Sequence, residues 1–309
     1  DYLVGRMEER LHPKLDGLHA KADALKAEAD VIARQLELIR SGLESLRLDA
    51  NRDTRALLLK AEAVDFQLEE LRIRARIPLK IDESTYVMRT ADGFVTIPQT
   101  DTLLLLMLYD AGPQGLEPGT RRVLIRLLLS GMVFVDVGAH VGTLTLAGAR
   151  QVGLGGKVVA FEPAPTTFNL LEKTIALNGL TSIIAHRAAC GAHQEQRQLF
   201  IGRVLGHSSF YPLKQDNSFQ PGIDTDETGA STVVTVFALD DVLSPNERVD
   251  VVKIDVEGAE LEVLAGMDRI IKDNSDIAVI VEFGPSHLKR AGIDPLFWFQ
   301  AFEAHGLIS

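Results

Sequence analysis

The sequence predicts an α/β protein, with a doubly wound parallel sheet preceded by an α-helical coiled coil. Three observations support this prediction. Strand and helix patterns alternate in the second half of the chain, a glycine turn follows one apolar strand, and a seven-residue apolar repeat marks the first part. We therefore expect three regions: a coiled-coil rod at 1–77, a connecting hairpin and helix at 78–115, and the α/β domain at 116–309.

The first region carries apolar residues at alternating steps of four and three. The stripe keeps one register from Leu11 to Ala50, breaks at Asp53 and resumes at Leu57. More than four heptads in one register are typical of a coiled coil, and the break has the form of a stutter. A stripe of this length needs a partner helix to cover it, so we expect a rod that assembles a homo-oligomer. A helical hairpin interrupted at Gly42 is the alternative.

Composition and charge exclude several classes of protein. The chain has 309 residues, of which 46% are hydrophobic and 24% charged, and this globular composition excludes wholesale disorder. A formal net charge of -11 argues against nucleic acid as a partner. The single cysteine, Cys190, excludes an internal disulfide framework and a cysteine-rich metal site.

No membrane-spanning segment is predicted from the hydropathy of the chain. The longest apolar run, Leu103 to Tyr109, is much shorter than the ~20 residues that a bilayer requires. The first residues contain neither an initiator methionine nor a signal-peptide pattern, so we expect the chain to begin inside a longer polypeptide. These observations favour a cytoplasmic protein, either free or held at the inner membrane through partners.

The α/β region consists of near-continuous apolar strands separated by helices. The strands are expected at 133–137, 158–161, 183–187, 251–254 and 277–283, and the helices at about 141–151, 165–177 and 258–271. Such strands are buried on both faces of a parallel sheet. A hairpin around Ala91-Asp92-Gly93 and two short apolar helices, 103–109 and 120–129, should precede them. The chain stops at Ser309, where we expect a sixth strand to approach, so the last two strands should lie beyond it.

The clearest chemical signal is an acid followed by a glycine turn, Asp136-Val137-Gly138-Ala139-His140-Val141-Gly142. Small residues let a ligand approach the backbone, and the amides of the next helix face it. A nicotinamide-binding turn would have glycine in place of His140 and no acid two residues before its first glycine. The residues that hold the ligand would be Asp136, Gly138, Ala139, His140 and Gly142, a set suited to an ammonium group such as that of S-adenosylmethionine.

The ends of the next two strands complete a candidate cofactor site. Glu162 ends the second strand, 24 residues after Gly138, where a carboxylate accepts hydrogen bonds from two ribose hydroxyls. At the end of the third strand, the small side chains of Ala188 and Ala189 leave room for an adenine. Cys190, next to them, is expected to be a packing residue.

Acidic residues at the end of the fourth strand are candidates for chemistry on an acceptor. Asp255 and Glu257 stand at the edge where open α/β sheets bind ligands, and Lys253 shares a face with Asp255. The alternative is a purely structural ion pair between Lys253 and Asp255, with Glu257 as a helix cap. His207, in a Gly- and Ser-rich loop, is a candidate general base. Asp255 is also a candidate ligand for a divalent metal, although no ligand cluster is visible in the sequence.

Together these motifs resemble the FkbM family of S-adenosylmethionine-dependent methyltransferases over residues 115 to 309. The resemblance is carried by Phe134–Gly142, Phe161–Pro163, Lys253–Glu260 and Val281–Phe283, and the third of these is the most specific. It implies a Rossmann-like methyltransferase sheet and, for most members, O-methylation of sugars or natural products. It also implies that Glu117 contacts the cofactor. Thr174 departs from the family pattern, which usually has an asparagine there.

The expected activity is transfer of a methyl group from S-adenosylmethionine to an acceptor hydroxyl on a glycan. A methyltransferase behind a long coiled coil also resembles the enzymes that terminate bacterial surface polysaccharides such as lipopolysaccharide, where the rod is thought to gauge chain length. Two other classes stay open. One is an oxidoreductase with a nucleotide cofactor, and the other is a non-catalytic scaffold with a methyltransferase-like head.

Overall fold

The computed structural model describes residues 34–35, 37–38, 78–202, 205–212 and 230–307. The chain divides into two compact units, Asp1–Ile81 and Asp82–Ser309. In the first unit, residues 34, 35, 37 and 38 are helical, and a two-residue strand, β1, follows at Leu79–Lys80. The rest of the predicted heptad stripe from Leu11 to Ala50 lies outside the described residues, so the coiled coil stays a prediction.

The second unit begins with the predicted hairpin and continues with alternating strands and helices. Its first elements are β2 (Thr85–Arg89), β3 (Phe94–Pro98), α1 (Thr102–Asp110), a 3-10 turn (Gly112–Gln114) and α2 (Pro118–Leu127). The alternation then runs through β4 (Val133–Val137), α3 (Thr143–Val152), β5 (Lys157–Phe161), α4 (Pro165–Asn178) and β6 (Ile183–His186).

Three strands outside the main alternation follow β6. They are β7 (Ala189–Cys190), β8 (Glu195–Phe200) and β9 (Ser231–Phe237), and they form a small separate sheet in the order β7-β9-β8. The remaining elements are α5 (Leu239–Val242), β10 (Val251–Ile254), α6 (Glu260–Ala265), α7 (Asp268–Asp273), β11 (Ala278–Val281), α8 (Pro285–Ala291) and α9 (Pro295–Ala304). None of the described helices has the length and apolar character needed to cross a membrane.

A five-stranded parallel sheet with the strand order β11-β10-β4-β5-β6 forms the centre of the second unit. The strand order reverses at β4, whose neighbours are β5 on one side and β10 on the other. The predicted doubly wound α/β fold is therefore confirmed. In such sheets the crevice at the carboxyl ends of the strands, at the point of reversal, is where ligands bind.

Alternate residues of β4 pack into separate cores on the two faces of the sheet. Phe134 belongs to a cluster with Leu124 and Leu144, from α2 and α3. Val135 belongs to a second cluster, with Leu239 of α5 and other residues of the opposite layer. Since successive side chains of a strand point to opposite faces, this division explains why β4 is apolar at nearly every position.

The hairpin β2–β3 packs against α4 through buried polar contacts. The backbone N–H of Thr96 donates to Thr174 Oγ1 at 3.0 Å, and Thr96 Oγ1 donates to the carbonyl of Leu170 at 2.7 Å. Asn178 pairs with the backbone of Phe94, accepting at 2.9 Å and donating at 2.7 Å. Thr174, which departs from the family pattern, thus has a role in joining the hairpin to the sheet's helical layer.

The prediction of one helix at 258–271 is wrong, because the segment forms two short helices, α6 and α7. The interruption is at Gly266, where a Cβ would lie 2.0 Å from the carbonyl oxygen of Gly191. The carbonyl of Gly266 also accepts a hydrogen bond from Asp240 N at 2.9 Å. Close backbone packing therefore ends the helical repeat that the apolar pattern suggests.

Candidate functional site

A cavity of about 270 Å³ lies at the carboxyl ends of β4, β5 and β10. Its lining brings together ten of the residues that the sequence predicts for the site: Glu117, Gly138, Ala139, His140, Glu162, Ala188, Ala189, His207, Asp255 and Glu257. The two other predicted residues, Asp136 and Gly142, do not line it. The candidate cofactor residues and the candidate catalytic residues therefore share one cavity.

The glycine turn packs closely against the ends of the neighbouring strands β5 and β10. Gly138 has φ +80°, and a Cβ there would lie 1.9 Å from the carbonyl oxygen of Asp255. The backbone N–H groups of Gly138 and Ala139 both donate to the carbonyl of Phe161, at 3.0 and 2.9 Å. Gly142, with φ +93°, precedes α3, and a Cβ there would lie 2.8 Å from Leu171. Only glycine allows this close approach at positive φ.

Backbone strain is concentrated around the same cavity. In the described part of the chain, four residues other than glycine have a positive φ, and three of them line the cavity. They are Glu117 (φ 51°), His140 (φ 53°) and Glu257 (φ 56°). Residues held in this region cost about 1–3 kcal/mol each, and they persist where the surrounding structure imposes the conformation, typically at functional sites.

Glu162 accepts a hydrogen bond from the glycine turn and also lines the cavity. Its Oε2 accepts a hydrogen bond from His140 N at 3.0 Å, and its Oε1 accepts one from Ala164 N at 2.9 Å. The side chain is buried, and burial raises the pKa of Glu162 to about 7, although the two backbone hydrogen bonds oppose the shift. The carboxyl group can thus gain or lose a proton near neutral pH.

Lys253 is a buried cation that the strand register places beside the turn. In the β10–β4 pairing Lys253 lies opposite Asp136. Its Nζ donates to the carbonyl of Gly138 at 2.8 Å and lies 3.4 Å from Asp255 Oδ2 and 3.6 Å from Asp136 Oδ1. Burial alone would lower the pKa of Lys253, but Asp255 and Asp136 raise it above its usual range. The Lys253–Asp255 ion pair of the structural alternative is present, and Lys253 makes a further hydrogen bond to the turn.

Asp136 lies beneath the turn instead of facing the cavity. The side chain is fully buried, and its Oδ2 accepts a hydrogen bond from Thr145 Oγ1 at 2.6 Å. With Lys253 on the other oxygen, Asp136 connects the end of β4 to α3 and β10. Its contacts are therefore those of a residue that holds the turn in shape.

Residues of α8 approach the acidic end of the cavity. His287 Nε2 lies 2.9 Å from Glu257 Oε2, and Arg290 Nη2 lies 3.6 Å from the same oxygen. Glu257 therefore does not act as a helix cap. His287 Nδ1 lies 3.7 Å from an oxygen of Glu282, which also lines the cavity. Glu282 stands directly after β11 and had a visible sequence signal, whereas His287 and Arg290 had none.

The charges at this end of the cavity perturb one another. Burial would raise the pKa of Asp255, but Lys253 brings it below its usual range. Burial and the charge of Asp255 raise the pKa of Glu282 to about 8. Burial would lower the pKa of His287, but the hydrogen bond and charge of Glu257 raise it above its usual range. Two carboxyl groups in the same cavity thus differ in their readiness to hold a proton, a pattern typical of acid–base sites.

The segment 205–212 lies over the cavity, and several hydrogen bonds anchor it there. Ser209 Oγ donates to the carbonyl of Glu257 at 2.9 Å, and Leu205 N donates to Asp101 Oδ2 at 3.0 Å. His207, in this segment, lines the cavity. His140, partly buried, also lines the cavity, and burial together with Lys253 lowers the pKa of His140 to about 4. His140 is therefore neutral at pH 7 and shapes the cavity.

Comparison with known proteins gives the family. Residues 136–308, more than half of the chain, match the Methyltransferase FkbM domain. The chain belongs to this family. The matched segment contains the glycine turn, Glu162 and the acidic end of the cavity, and the resemblance found in the motifs is confirmed.

Three curated relatives are similar to the chain at about one-third identity. "Methyltransferase 1" of Beauveria bassiana is 33% identical over 159 residues, which are 47% of this chain and 62% of that protein. "Methyltransferase sdnD" of Sordaria araneosa is 32% identical over 198 residues, 57% of this chain and 75% of that protein. "Hexuronic acid methyltransferase AglP" of Haloferax volcanii is 32% identical over 178 residues, 55% and 63%. The chain thus spans less than two thirds of the first and third relatives.

A solved structure with a distant likeness is a SAM-dependent O-methyltransferase from Thermotoga maritima. It shares 12% sequence identity with the chain, and the superposition covers 71% of this chain and 61% of that one with a TM-score of 0.37.

Proposed function

We propose that the unit Asp82–Ser309 transfers the methyl group of S-adenosylmethionine to an acceptor hydroxyl, and that the acceptor is a sugar. The observation that carries this proposal is the single cavity that joins the glycine turn and Glu162 to the acidic pair Asp255 and Glu257. The turn and Glu162 would form the cofactor half of the site, and the acidic pair would face the acceptor.

The cofactor half fits a nucleoside that carries a positive charge. Glu162 would accept hydrogen bonds from the ribose hydroxyls as a carboxylate. Ala188 and Ala189 are buried and small, so the edge of an adenine could lie against them. Glu117 adds a further carboxyl group to the lining. The Gly138–Gly142 turn would lie against the methionine end, with Asp136 supporting the turn through Lys253 and Thr145.

The chemical demand on the protein is alignment and proton removal. When bound, S-adenosylmethionine supplies a methyl group on a sulfonium, and the sulfur keeps the bonding electrons when the S–C bond breaks. The chain must hold the acceptor oxygen in line with that bond and accept the hydroxyl proton. Asp255, which Lys253 keeps ionised, and Glu257 are placed for this work, and His207 is a third candidate.

The sugar acceptor is supported by the family and by one relative. AglP is named a hexuronic acid methyltransferase, and the family resemblance implies hydroxyl acceptors. A predicted rod at 1–77, followed by the hairpin region 78–115 and the head 116–309, would suit an oligomeric enzyme that terminates a bacterial surface polysaccharide in the cytoplasm. In that arrangement the rod would set the distance between the head and whatever precedes it.

Calorimetry with S-adenosylmethionine tests the assignment directly. We expect saturable 1:1 binding of S-adenosylmethionine and no binding of NAD⁺ at the same concentration; the reverse result would favour the oxidoreductase class. Transfer of a labelled methyl group to oligosaccharides that contain hexuronic acid then tests the acceptor. Binding of the cofactor without transfer to any hydroxyl acceptor would favour the scaffold class.

A further inference from the structure

We propose that Glu257, Glu282 and His287 form a binding site for a divalent cation of the Mn²⁺ type at the acceptor end of the cavity. In the part of the chain that the structure describes, this is the group whose ligand atoms converge: one carboxylate oxygen from each glutamate and one ring nitrogen lie within 4.8 Å of one another. The sequence pointed to Asp255 as the metal ligand, but Asp255 is not in this group.

The spacing of the three atoms is close to that of a coordinated ion. Metal bonds to imidazole nitrogen and carboxylate oxygen are about 2.0–2.2 Å long, so two ligands of one ion are at most ~4.4 Å apart. Small rotations of the glutamate side chains would therefore complete the site. His287 Nε2 and Glu257 Oε2, 2.9 Å apart, already lie within that limit.

The imidazole of His287 is held in a fixed position beside Glu257. One ring nitrogen, Nε2, faces Glu257 Oε2 at 2.9 Å, and the other, Nδ1, is buried without a hydrogen-bond partner. Gly284 packs against the ring, because a Cβ there would lie 2.4 Å from Nδ1. Nε2, on the side of Glu257, is therefore the nitrogen that would bind the ion, and the contact with Gly284 fixes the ring.

Glu260 supplies an independent sign that positive charge belongs here. Its side chain is 1% exposed, and Oε2 has no hydrogen-bond partner, while Oε1 accepts from Gly258 N at 2.9 Å. Glu260 lies three residues after Glu257, and the charges of His287 and Asp255 both act on its pKa. A buried carboxylate oxygen without a partner is costly unless a cation or a donor compensates it.

The type of ion follows from the donors. Magnesium and calcium prefer sites made entirely of oxygen, whereas manganese and zinc also accept imidazole. Two carboxylates and one imidazole leave coordination positions open toward the cavity. This inference rests on the proposed function for its consequence: the ion would bind the acceptor's hydroxyl oxygen, lower the pKa of that hydroxyl and fix its position.

Binding of Mn²⁺ to the purified full chain tests the site without cofactor or acceptor. Paramagnetic resonance of free Mn²⁺ should show one saturable site per chain. Glu282→Gln and His287→Gln should each weaken Mn²⁺ binding at least tenfold, whereas the exposed controls Glu172→Gln and His193→Gln should leave it unchanged. Circular dichroism of each variant checks that it is folded, and Glu257→Gln serves as the second ligand variant if either of the first two is not.

The possible outcomes separate this proposal from the proposed function. Absence of saturable Mn²⁺ binding at 1 mM, or equal binding by the ligand variants and the controls, overturns the metal site. If such a result comes with normal methyl transfer in chelator, the proposed function stands without the metal. Saturable Mn²⁺ binding that depends on Glu282 and His287, together with no binding of S-adenosylmethionine, supports the site and overturns the proposed function.

Discussion

Glu162 should make binding of the nucleoside part of the cofactor depend on pH. The pKa of this carboxyl is about 7 in the free protein because the side chain is buried. About a tenth of the groups are then ionised at pH 6 and about nine tenths at pH 8. Since the carboxylate accepts hydrogen bonds from two ribose hydroxyls better than the acid does, affinity should rise eight- to tenfold over this range, about 1.3 kcal/mol.

The raised pKa of Glu162 should make the protein without ligand less stable as the pH rises, while its affinity for the ligand increases. A pKa raised from 4.5 to about 7 favours the folded state while the group is protonated. This contribution is fully present below about pH 4.5 and is lost as the pH rises through about 7. Its full size is about 3 kcal/mol, from ~1.4 kcal/mol for each pKa unit. Urea unfolding without ligand should therefore show decreasing stability between about pH 5 and 8, while ligand affinity increases.

The assay is calorimetry with 5′-methylthioadenosine, which has the ribose and adenine but not the amino-acid group that would itself titrate. Glu162→Ala is a poor control because it also removes the acceptors for His140 N and Ala164 N. Glu162→Gln keeps the size of the side chain, and its binding should be weaker but independent of pH. An equal pH dependence in the wild type and Glu162→Gln, or no dependence in the wild type, would refute the ribose role.

Three further predictions concern the neighbouring residues. Asp255→Asn and Glu257→Gln should each reduce turnover at least tenfold with less than a threefold change in cofactor affinity; normal turnover in both would mean that the pair is structural. Lys253→Met leaves two buried carboxylates without their cation and should cost about 3–5 kcal/mol, seen as a fall of about 10 °C in Tm, and an unchanged Tm would contradict the ion-pair argument. Thr174→Val removes the buried partner of Thr96 N and should cost about 1–2 kcal/mol in urea unfolding, whereas Thr174→Ser should cost less than half as much.

The parts of the fold that depend on local pattern were predictable from the sequence. The strands at 133–137 and 251–254 coincide with β4 and β10, because each is a short apolar run bounded by polar residues and turns. The small sheet β7-β9-β8 was not predicted. Strand β8, Glu195–Phe200, is mostly polar and only partly buried, so it lacks the continuous apolar run that marks the central strands.

The candidate site also has a part that the sequence predicts and a part that it does not. The turn, Glu162 and Asp255 follow strands directly. In a parallel sheet the ends of these strands lie at one edge, independent of the conformation of the loops. His287 and Arg290 reach Glu257 only because α8 returns over the end of β10. Nothing local in Pro285–Ala291 specifies that position, since it depends on how β11 and α8 pack. Long-range packing of this kind is what a single sequence does not reveal.

The contacts of Lys253 make the structural and the functional interpretations of the fourth strand compatible. A charge inside a buried strand is costly unless it is paired. Here the register places Lys253 opposite Asp136 of β4, and Lys253 has a second carboxylate partner in Asp255, directly after its own strand. Its remaining proton donor holds the carbonyl of Gly138, so the ion pair also fixes the turn that lines the cavity. Asp255 is kept ionised by the same contact. One buried cation therefore stabilises the sheet, shapes the glycine turn and sets the charge of the candidate catalytic carboxylate.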